Sequence, residues 1–431
     1  MKNFRWWPAI GLMAAVVALS GCGGGDDDNG SSSASVRVAN ATLTHPSIDL
    51  FVNGASAVTA TAADAISVAA SPAAGSVTLQ VNDTGSTTAL ATTVPTLAGG
   101  GRYTLLAYES GGAVRTAILN EDFAVPASGS AQIRIYNAAL DAGKIDVYIT
   151  APAVDLATVA QPNATFTTTT ANSATALLTY SPGTYRVRVT AAGNKADLRA
   201  DIPAVVVASQ QVATVVLTPA AGGALINGAT VIQQGTYTAA RNTNARVRLA
   251  AAVSGGATVA ASASNGTVID AGSAAPAFGF YVLVPASAAL NITVDGATVA
   301  APAGALQAGA DATLLVYGAP GSSTATLIAD DNRLPTDSTT TKLRLINGVT
   351  GSAGTLTLTA NTAPVGTGIA PGTASGYVSV IGSTNAMSLR LTSSTNGTFP
   401  ADVNNILSPN AVYTVLAGGA IGPTTTVLLI R

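Results

Sequence analysis

The sequence has very little charge and few of the side chains that carry chemistry. Only 9% of its residues are charged, against roughly 25% in an average soluble protein. The single cysteine excludes an intrachain disulfide, and one cysteine with one histidine cannot supply a zinc site of nitrogen and sulfur ligands. Lys and Arg residues are scattered singly, without the basic stripe that binds phosphates, which argues against nucleic acid as a partner.

The uncharged residues that make up most of the chain favour β-structure. Hydrophobic residues make up 48% of the chain, and the β-branched residues Val and Thr are frequent. β-Branched side chains suit a pleated strand and lose freedom in a helix. The 44 glycines and 20 prolines fit a chain with many turns. At roughly 100–150 residues per domain, the length predicts three or four domains.

The N-terminus carries the strongest signal for location. A basic start precedes an apolar stretch over residues 6–19, which is short for a membrane-spanning helix. Leu19-Ser20-Gly21-Cys22 resembles the lipobox of bacterial lipoproteins. The resemblance implies cleavage before Cys22 and attachment of diacylglycerol to its sulfur. Residues 1–21 are therefore predicted to be a lipoprotein signal peptide, and the alternatives are an ordinary signal peptide with an incidental cysteine or an uncleaved anchor.

Residues 22–35 are predicted to form a flexible tether rich in Gly, Asp and Ser. Its run of three aspartates offers no preorganised oxygen cage for a cation. In the lipoproteins that it resembles, aspartate directly after the cysteine favours inner-membrane retention, and here that position is Gly23. We expect a location in the cell envelope, anchored to the outer membrane by the lipid on Cys22, and no other cofactor.

The rest of the chain repeats one pattern four times. The spacing from the first marker arginine to the third, 211 residues, nearly equals that from the second to the fourth, 210 residues, which suggests a duplicated two-domain unit. Short alternating segments between Gly- and Pro-containing turns predict strands. The expected fold is all-β, with four tandem antiparallel, Ig-like β-sandwiches arranged as two related pairs, at 36–130, 131–242, 243–340 and 341–431. The marker arginines are Arg37, Arg134, Arg248 and Arg344.

Later segments follow the same repeat. Each places a threonine before aliphatic residues, and the first and third repeats match each other, as do the second and fourth. The segments are YTLL at 103–106, ATLL at 312–315, TVVL at 214–217 and YTVL at 413–416.

Acidic residues lie at the joint within each predicted pair. Carboxylates between tandem β-domains can hold Ca²⁺ and stiffen the array. The candidate ligands are Glu121, Asp122, Asp330 and Asp331. Because each joint offers few oxygen ligands in sequence, solvated linker acids are the favoured interpretation, and no bound metal is expected.

The first two repeats contain the related stretches VRVANATLTHPSIDLFVNG at 36–54 and IRIYNAALDAGKIDVYIT at 133–150. These stretches resemble DUF4397, a family of bacterial exported domains. Both place an aspartate 12 residues after the arginine, at Asp49 and Asp146, whereas the third and fourth repeats have Ala260 and Leu356 there. The resemblance implies a β-sandwich, an envelope location and tandem copies, and it implies no reaction.

No catalytic set emerges from these residues. A carboxylate pair must lie within about 10 Å, whereas Asp49 and Asp146 belong to separate repeats. We favour strand-face aspartates that bond a neighbouring loop or pair with Arg37 or Arg134. His45, the only histidine, sits in a predicted turn, and a His-based triad would depend on it alone.

We therefore expect a non-enzymatic envelope lipoprotein that presents tandem β-sandwiches for binding, adhesion or spacing. Its partner would be an unidentified envelope or extracellular protein or a glycan. One alternative is a carbohydrate- or polymer-binding module, which predicts an exposed row of tyrosines, although core packing of the tyrosines is favoured. A second alternative is a hydrolase, which predicts several carboxylates converging inside one domain.

Overall fold

A computed structural model of the chain describes residues 32–167, 172–350, 354–395, 397–420 and 426–430. Regular structure in these residues is nearly all β-strand, and the helical segments among them are three short 3₁₀ turns, Leu140–Ala142, Leu156–Thr158 and Ser254–Gly256. The strands form two-sheet sandwiches in tandem, which confirms the predicted all-β architecture. The predicted signal peptide, Cys22 and most of the tether lie outside the described residues. None of the described helical segments is long and apolar enough to cross a membrane.

The first sandwich contains β1 (Ser35–Asn40), β2 (Ser47–Val52), β3 (Ala55–Ala62), β4 (Ala65–Ile66), β5 (Gly75–Ser76), β6 (Leu79–Asp83), β7 (Ala89–Thr93), β8 (Thr96–Leu97), β9 (Arg102–Ser110) and β10 (Ala113–Asn120). One sheet has the order β10–β9–β1–β4 and the other β3–β2–β6–β7, while β5 pairs with β8.

The second sandwich contains β11 (Ala131–Asn137), β12 (Ile145–Thr150), β13 (Ala164–Phe166), β14 (Ser173–Ala174), β15 (Leu178–Tyr180), β16 (Gly183–Ala191), β17 (Asn194–Val207), β18 (Val212–Pro219), β19 (Ile226–Ile232) and β20 (Tyr237–Ala240). One sheet has the order β14–β11–β18–β19–β20, with β15 also on β11, and the other β13–β12–β16–β17.

The third sandwich contains β21 (Asn244–Val253), β22 (Thr258–Ala263), β23 (Val268–Ala274), β24 (Ala277–Phe278), β25 (Val282–Pro285), β26 (Leu290–Val294), β27 (Ala297–Val299), β28 (Asp311–Gly318) and β29 (Thr324–Asp330). One sheet has the order β24–β21–β28–β29, with β25 also on β21, and the other β23–β22–β26–β27.

The fourth sandwich contains β30 (Thr340–Thr350), β31 (Leu356–Ala360), β32 (Ala363–Ile369), β33 (Thr373–Ala374), β34 (Val378–Ile381), β35 (Met387–Ser393), β36 (Gly397–Asn405), β37 (Ala411–Ala420) and β38 (Thr426–Ile430). One sheet has the order β33–β30–β37–β38, with β34 also on β30, and the other β32–β31–β35–β36.

One parallel strand pair lies at the centre of one sheet in every sandwich. The pairs are β1 with β9, β11 with β18, β21 with β28, and β30 with β37. The other strand pairs are antiparallel, as expected from the sequence. The exception arises because the whole second sheet is inserted between the two central strands, which gives the long crossover that parallel pairing needs. We call the sheet with the parallel pair the inner sheet and its companion the outer sheet.

The central strands of the inner sheets are buried on both faces. In β1, Val36 and Val38 pack against the outer sheet of the first sandwich, whereas Ala39 points away from it and packs against the second sandwich. Every residue of β18 is buried. Because successive side chains alternate between faces, such a strand has two apolar faces to cover. The paired sandwiches therefore stack inner sheet on inner sheet, four layers deep.

The two pairs share this stacking. In the first pair the apolar interface joins Ala39, Ala41, Leu106, Tyr108, Ala117 and Leu119 to Tyr136, Ala138, Val216 and Val231. In the second pair it joins Ala250, Ala252 and Leu315 to Ile346 and Leu416.

Polar contacts join the second sandwich to the third. The Gly222 N–H donates to the Gly309 carbonyl at 2.9 Å, and the Asn332 N–H donates to the Gly222 carbonyl at 3.0 Å. Arg246 forms a two-bonded ion pair with Asp311, with both distances 2.8 Å, inside the third sandwich close to this joint. The two pairs are thus connected by specific contacts as well as by the chain.

A close approach between the third and fourth inner sheets depends on glycine. A Cβ placed at Gly348 would lie 2.4 Å from the Ala252 Cβ across the interface. Gly376, in the same sandwich, has no atom within 4 Å of such a position. The sheet spacing therefore leaves no room for a methyl group at Gly348.

We expect Gly348→Ala to destabilise the second pair by about 1–3 kcal/mol, because overpacking forces the sheets apart. Gly376→Ala is the matched control and should unfold at the wild-type denaturant concentration or slightly above it, because alanine restricts the unfolded chain. Urea unfolding monitored by far-UV circular dichroism gives the unfolding midpoint of each variant. Equal unfolding midpoints for the two variants would show that the sheets do not meet at Gly348.

Candidate functional site

The four marker arginines come together in two clusters at the interfaces between paired sandwiches. Each arginine faces away from its own core, and each lies opposite a threonine across the parallel ladder. The register pairs are Arg37 with Thr104, Arg134 with Thr214, Arg248 with Thr313, and Arg344 with Thr414. The threonine segments that follow the repeat in sequence are therefore the partners of the arginine segments in the sheet.

The first cluster joins the first and second sandwiches. Arg37 Nη2 lies 2.6 Å and 2.8 Å from the two carboxylate oxygens of Glu121. Arg37 Nη1 reaches across to the Gly235 carbonyl at 2.5 Å. Arg134 donates from Nε to the Thr214 hydroxyl at 2.8 Å and packs 4.3 Å from the ring centroid of Phe123. The contacts of the first cluster therefore all lie at the interface between the two sandwiches. They comprise the ion pair, the hydrogen bonds and the ring contact.

The second cluster joins the third and fourth sandwiches. Arg344 forms an ion pair with Asp330, and Arg248 Nε lies 3.5 Å from the other oxygen of the same carboxylate. Arg248 also donates to Thr414 of the fourth sandwich at 3.2 Å. Its guanidinium lies 4.4 Å from the ring centroid of Tyr281. One buried aspartate therefore holds arginines from two domains.

Each cluster contains two guanidinium groups and one carboxylate; both arginines contact Asp330 in the second cluster, whereas in the first Arg37 binds Glu121 and Arg134 bonds Thr214 and the Asn120 carbonyl. The excess positive charge is met by hydroxyls, backbone carbonyls and aromatic faces, which attract cations through the ring quadrupole. Burial is the largest influence on Arg344 and lowers its pKa, but the Asp330 carboxylate and Tyr377 outweigh it, so the pKa is raised. Burial and then Asp330 raise the pKa of Tyr281 well above its usual value, so Tyr281 remains a phenol that donates to Asp330.

The four candidate calcium ligands lie beside cationic side chains. Glu121 and Asp330 belong to the clusters, exposed Asp122 lies 3.4 Å from Arg102, and Asp331 is 2.7 Å from Arg333. Burial alone would raise the pKa of Asp331, but hydrogen bonds from Arg333 and Lys342 lower it. In the part of the chain that the structure describes, no three His, Cys, Asp or Glu residues are grouped to hold a metal ion.

Asp49 and Asp146 lie on the outer sheets and hold neighbouring strands. Asp49 accepts hydrogen bonds from the Ala60 N–H at 2.7 Å and the Gly85 N–H at 3.0 Å. Asp146 accepts from the Gly193 N–H at 2.8 Å. These contacts match the loop-bonding interpretation, since the marker arginines lie on the inner sheets and bond elsewhere.

Asp49 lies at a β-bulge between β2 and β3, and the third and fourth repeats have the corresponding bulge with other polar residues bonded near it. In the fourth, Leu356 points into the core, and the neighbouring Thr357 hydroxyl accepts from the Gly368 N–H at 3.2 Å. In the third, Asp270 accepts from the Gly272 N–H at 2.9 Å. A fixed count of 12 residues from the arginine therefore misses equivalents that are offset by one residue or carried by the partner strand.

The tyrosines form no exposed platform. All eleven lie in described segments, and each is buried or half-buried. Several line the clusters or the cores, as Tyr281 and Tyr413 do. This counts against the flat stacking row that a carbohydrate-binding module of that type requires. His45, the other candidate for chemistry, lies with its Nδ1 2.6 Å from Asp83 Oδ1, and its backbone carbonyl accepts from Asn40.

Comparison with protein families gives one match, and it covers the first sandwich. Residues 34–148 match the family DUF4397, a domain of unknown function. The match begins just before β1 and ends within β12, so it includes both Arg37 and Arg134 and both Asp49 and Asp146. Among curated proteins no sequence matches the chain.

Several solved structures of bacterial proteins are similar to this chain at low sequence identity. A candidate cell adhesion protein from Bacteroides uniformis is 13% identical, over 48% of this chain and 99% of its own, with a TM-score of 0.20. The TIE protein of Bacillus anthracis is 9% identical over 90% and 68%, with a TM-score of 0.15. The pilus adhesin SpaC of Lactobacillus rhamnosus GG is 14% identical over 69% and 43%, with a TM-score of 0.12. At these scores the likenesses carry no argument about function.

The sequence pointed to the arginines as repeat markers but not to the residues that surround them. Their threonine partners were visible as a second repeated segment, and the alternation of β9 and β18 would have placed those hydroxyls on the arginine face. The aromatic rings had no such signal, because Phe123 lies after β10 and Tyr281 between β24 and β25.

We expect Asp330→Asn to destabilise the second pair by about 3–5 kcal/mol, because it leaves two buried arginines without their counter-charge. Asp122→Asn removes an exposed carboxylate from a comparable joint and should cost about 0–1 kcal/mol. Denaturant unfolding of both variants measures the difference. If the Asp330 variant unfolds no earlier than the Asp122 variant, the cluster does not hold the pair together.

Asp49 should make the first sandwich sensitive to acid. Burial alone would raise its pKa, but the hydrogen bonds from Ala60, Gly85 and Thr84 outweigh burial and lower it. A folded-state pKa below the unfolded value means that the stabilisation is present above the usual aspartate pKa of about 3.9 and is lost as pH falls through the folded-state value.

Asp49→Asn should therefore be less stable than the wild type at neutral pH, and the difference should shrink as the solution is acidified. Unfolding midpoints measured across a pH series test this expectation. A difference that stays constant from neutral pH to below the folded-state pKa would contradict it.

Proposed function

We propose that the protein is a non-enzymatic lipoprotein of the cell envelope, anchored by lipid on Cys22, that presents fixed β-sandwiches for adhesion or spacing. The observation that carries the proposal is the placement of the buried charges. In a chain with 9% charged residues, Glu121, Asp311 and Asp330 each bind arginine at or beside a joint between sandwiches. The charged side chains serve to hold domains in fixed positions.

The stacking favours a stiff body over a flexible string. Inner sheets buried on both faces cannot separate without exposing apolar surface and buried arginines at the same time. The joint between the second and third sandwiches adds backbone hydrogen bonds through Gly222. A stiff array suits a protein that must hold a contact surface at a set distance from its anchor.

The position of the first strand sets that distance. The predicted tether of residues 22–35 ends too late, because Ala34 is buried in the core of the first sandwich and Ser33 pairs with Ala73. The length of chain between the lipid and the first sandwich is therefore residues 22–31. At most roughly 3.6 Å per residue, a tether of this length reaches about 36 Å. The sandwiches would then stand close to the membrane but free to orient.

The hydrogen bonds of the buried acidic residues support a non-enzymatic role. Asp330 accepts from Tyr281, Thr313 and Arg344, and Glu121 accepts from Thr104, Arg37 and the Gln234 N–H. These carboxylates are buried and already bonded to side chains of the interfaces, so they are not positioned to contact a substrate. Adhesion or spacing requires only exposed loops and outer sheets on a stable frame.

Cys22→Ser tests the anchor. Serine keeps the size of the side chain but cannot form the thioether, so we expect the protein to move from the membrane fraction to the soluble fraction. Two acyl chains are needed for stable anchoring, and each buried CH₂ contributes about 0.8 kcal/mol. Fractionation followed by mass spectrometry of the N-terminal peptide gives the readout.

Ser20→Ala is the matched control, because it changes the same segment but keeps a small residue before the cleavage point, and it should stay anchored. Protease treatment of whole cells then tests presentation: an extracellular contact surface predicts cleavage of the wild type on intact cells. Retention of the Cys22→Ser variant in the membrane would overturn the anchor, and full protection of the wild type would overturn extracellular presentation.

A further inference from the structure

A cleft of about 690 Å³ opens where the two pairs meet. Its walls come from the first sandwich, the second sandwich, the segment that links the third to the fourth, and Asn410 of the fourth sandwich. Leu334 of that segment lies 3.7 Å from the position of a Cβ on Gly143 of the second sandwich, so the walls are in contact at one side. A volume in the range of about 300–1,000 Å³ is typical of sites for small ligands.

The polar groups of the cleft are mostly uncharged and come from different walls. Ser110 and Thr116 lie on the first sandwich, and Thr336 and Ser338 on the linking segment. Hydroxyls both donate and accept hydrogen bonds, so opposing hydroxyls can bind a ligand that also has both functions. Leu140 and Pro335 add apolar patches between them.

Two charged groups of opposite sign complete the lining. Asp141 is held by hydrogen bonds from the Ser110 hydroxyl at 2.9 Å and the Gly111 N–H at 3.1 Å, which orient its carboxylate. Arg115 is exposed on β10, and within the described part of the chain it forms no hydrogen bond or ion pair. The lining therefore has an oriented acceptor, a free donor and no net charge.

We infer that this cleft binds a neutral saccharide, such as a segment of an uncharged glycan. The inference rests on the proposed function and gives it a ligand class. Sugar hydroxyls can donate to Asp141 and accept from Arg115, while the C–H face of a sugar ring can lie on Leu140 or Pro335. The mixed lining suits such a ligand better than a hydrocarbon, which would leave the polar groups unpaired.

An anionic ligand fits less well, because Asp141 cancels the charge of Arg115 and would repel a second carboxylate or a phosphate. The mode of binding also differs from aromatic stacking. Tyr108 lines the cleft but is 2% exposed, and its hydroxyl donates to Asn172. Recognition in this cleft depends on hydrogen bonds.

The test uses the full chain, purified in a detergent without a sugar head group. Maltotetraose, cellotetraose and chitotetraose serve as neutral probes and trigalacturonate as the acidic probe, with binding measured by saturation-transfer NMR and calorimetry. Arg115→Ala removes the free donor, and Ser338→Trp fills the cleft from the linking segment. Arg102→Ala is the matched control, since it removes an exposed arginine from the adjacent strand outside the cleft.

The expected result is binding of at least one neutral tetrasaccharide, weakened about tenfold or more by Arg115→Ala, since a hydrogen bond from a charged donor is lost. Ser338→Trp should abolish binding, and Arg102→Ala should leave it unchanged. Absence of binding by all three neutral probes, preference for trigalacturonate, or equal loss with Arg102→Ala would each overturn the inference. A chain that is anchored and exposed on cells yet binds none of these probes would refute the saccharide site and leave the proposed function intact.

Discussion

The burial of two arginines around one carboxylate between paired inner sheets is the constraint on which the other features depend. A guanidinium removed from water is costly unless its ion pair and hydrogen bonds are complete. The ion pairs and hydrogen bonds of Arg248 and Arg344 are complete only when the third and fourth sandwiches are stacked. The reason is that Thr414 and Asp330 come from opposite sides of the interface. Paired stacking is therefore a condition for satisfying the charges, and each sandwich depends on its neighbour.

This constraint also accounts for the unusual composition. A sheet that is covered on both faces has little room for exposed charge, so its central strands consist of aliphatic and small residues, as in β18. Where two such sheets meet, small residues such as Ala252 and Gly348 set the distance between them. The outer sheets retain one solvent face, and there Asp49 and Asp146 bond the adjoining strands. The surfaces that remain exposed are the loops, the outer sheets and the cleft between the pairs.

Much of the architecture was predictable from local pattern. Alternation predicted the strands, and the repeated arginines predicted the two-pair organisation. The shared spacing of Asp49 and Asp146 predicted strand-face aspartates that bond a neighbouring loop or pair with an arginine, and only the structure placed them on the outer sheets. The fourth repeat was harder, because the supporting side chain is Thr357 and the count from the arginine shifts by one residue. The partners of the arginines were harder still, since Glu121 is 84 residues from Arg37. The cleft could not be predicted, because its walls come from distant parts of the chain.

By itself, the sequence determined the class of fold and the order of the repeats, because strand alternation and the repeated arginine and threonine segments are local patterns of side chains. Only the tertiary structure decided that the central strands pair in parallel, that arginines from two domains share one aspartate, and that Arg115 and Asp141 line a common cleft. The physical reason is that local sequence specifies which face of a strand is apolar or polar. Which surface covers that face is decided by packing between segments that are far apart along the chain.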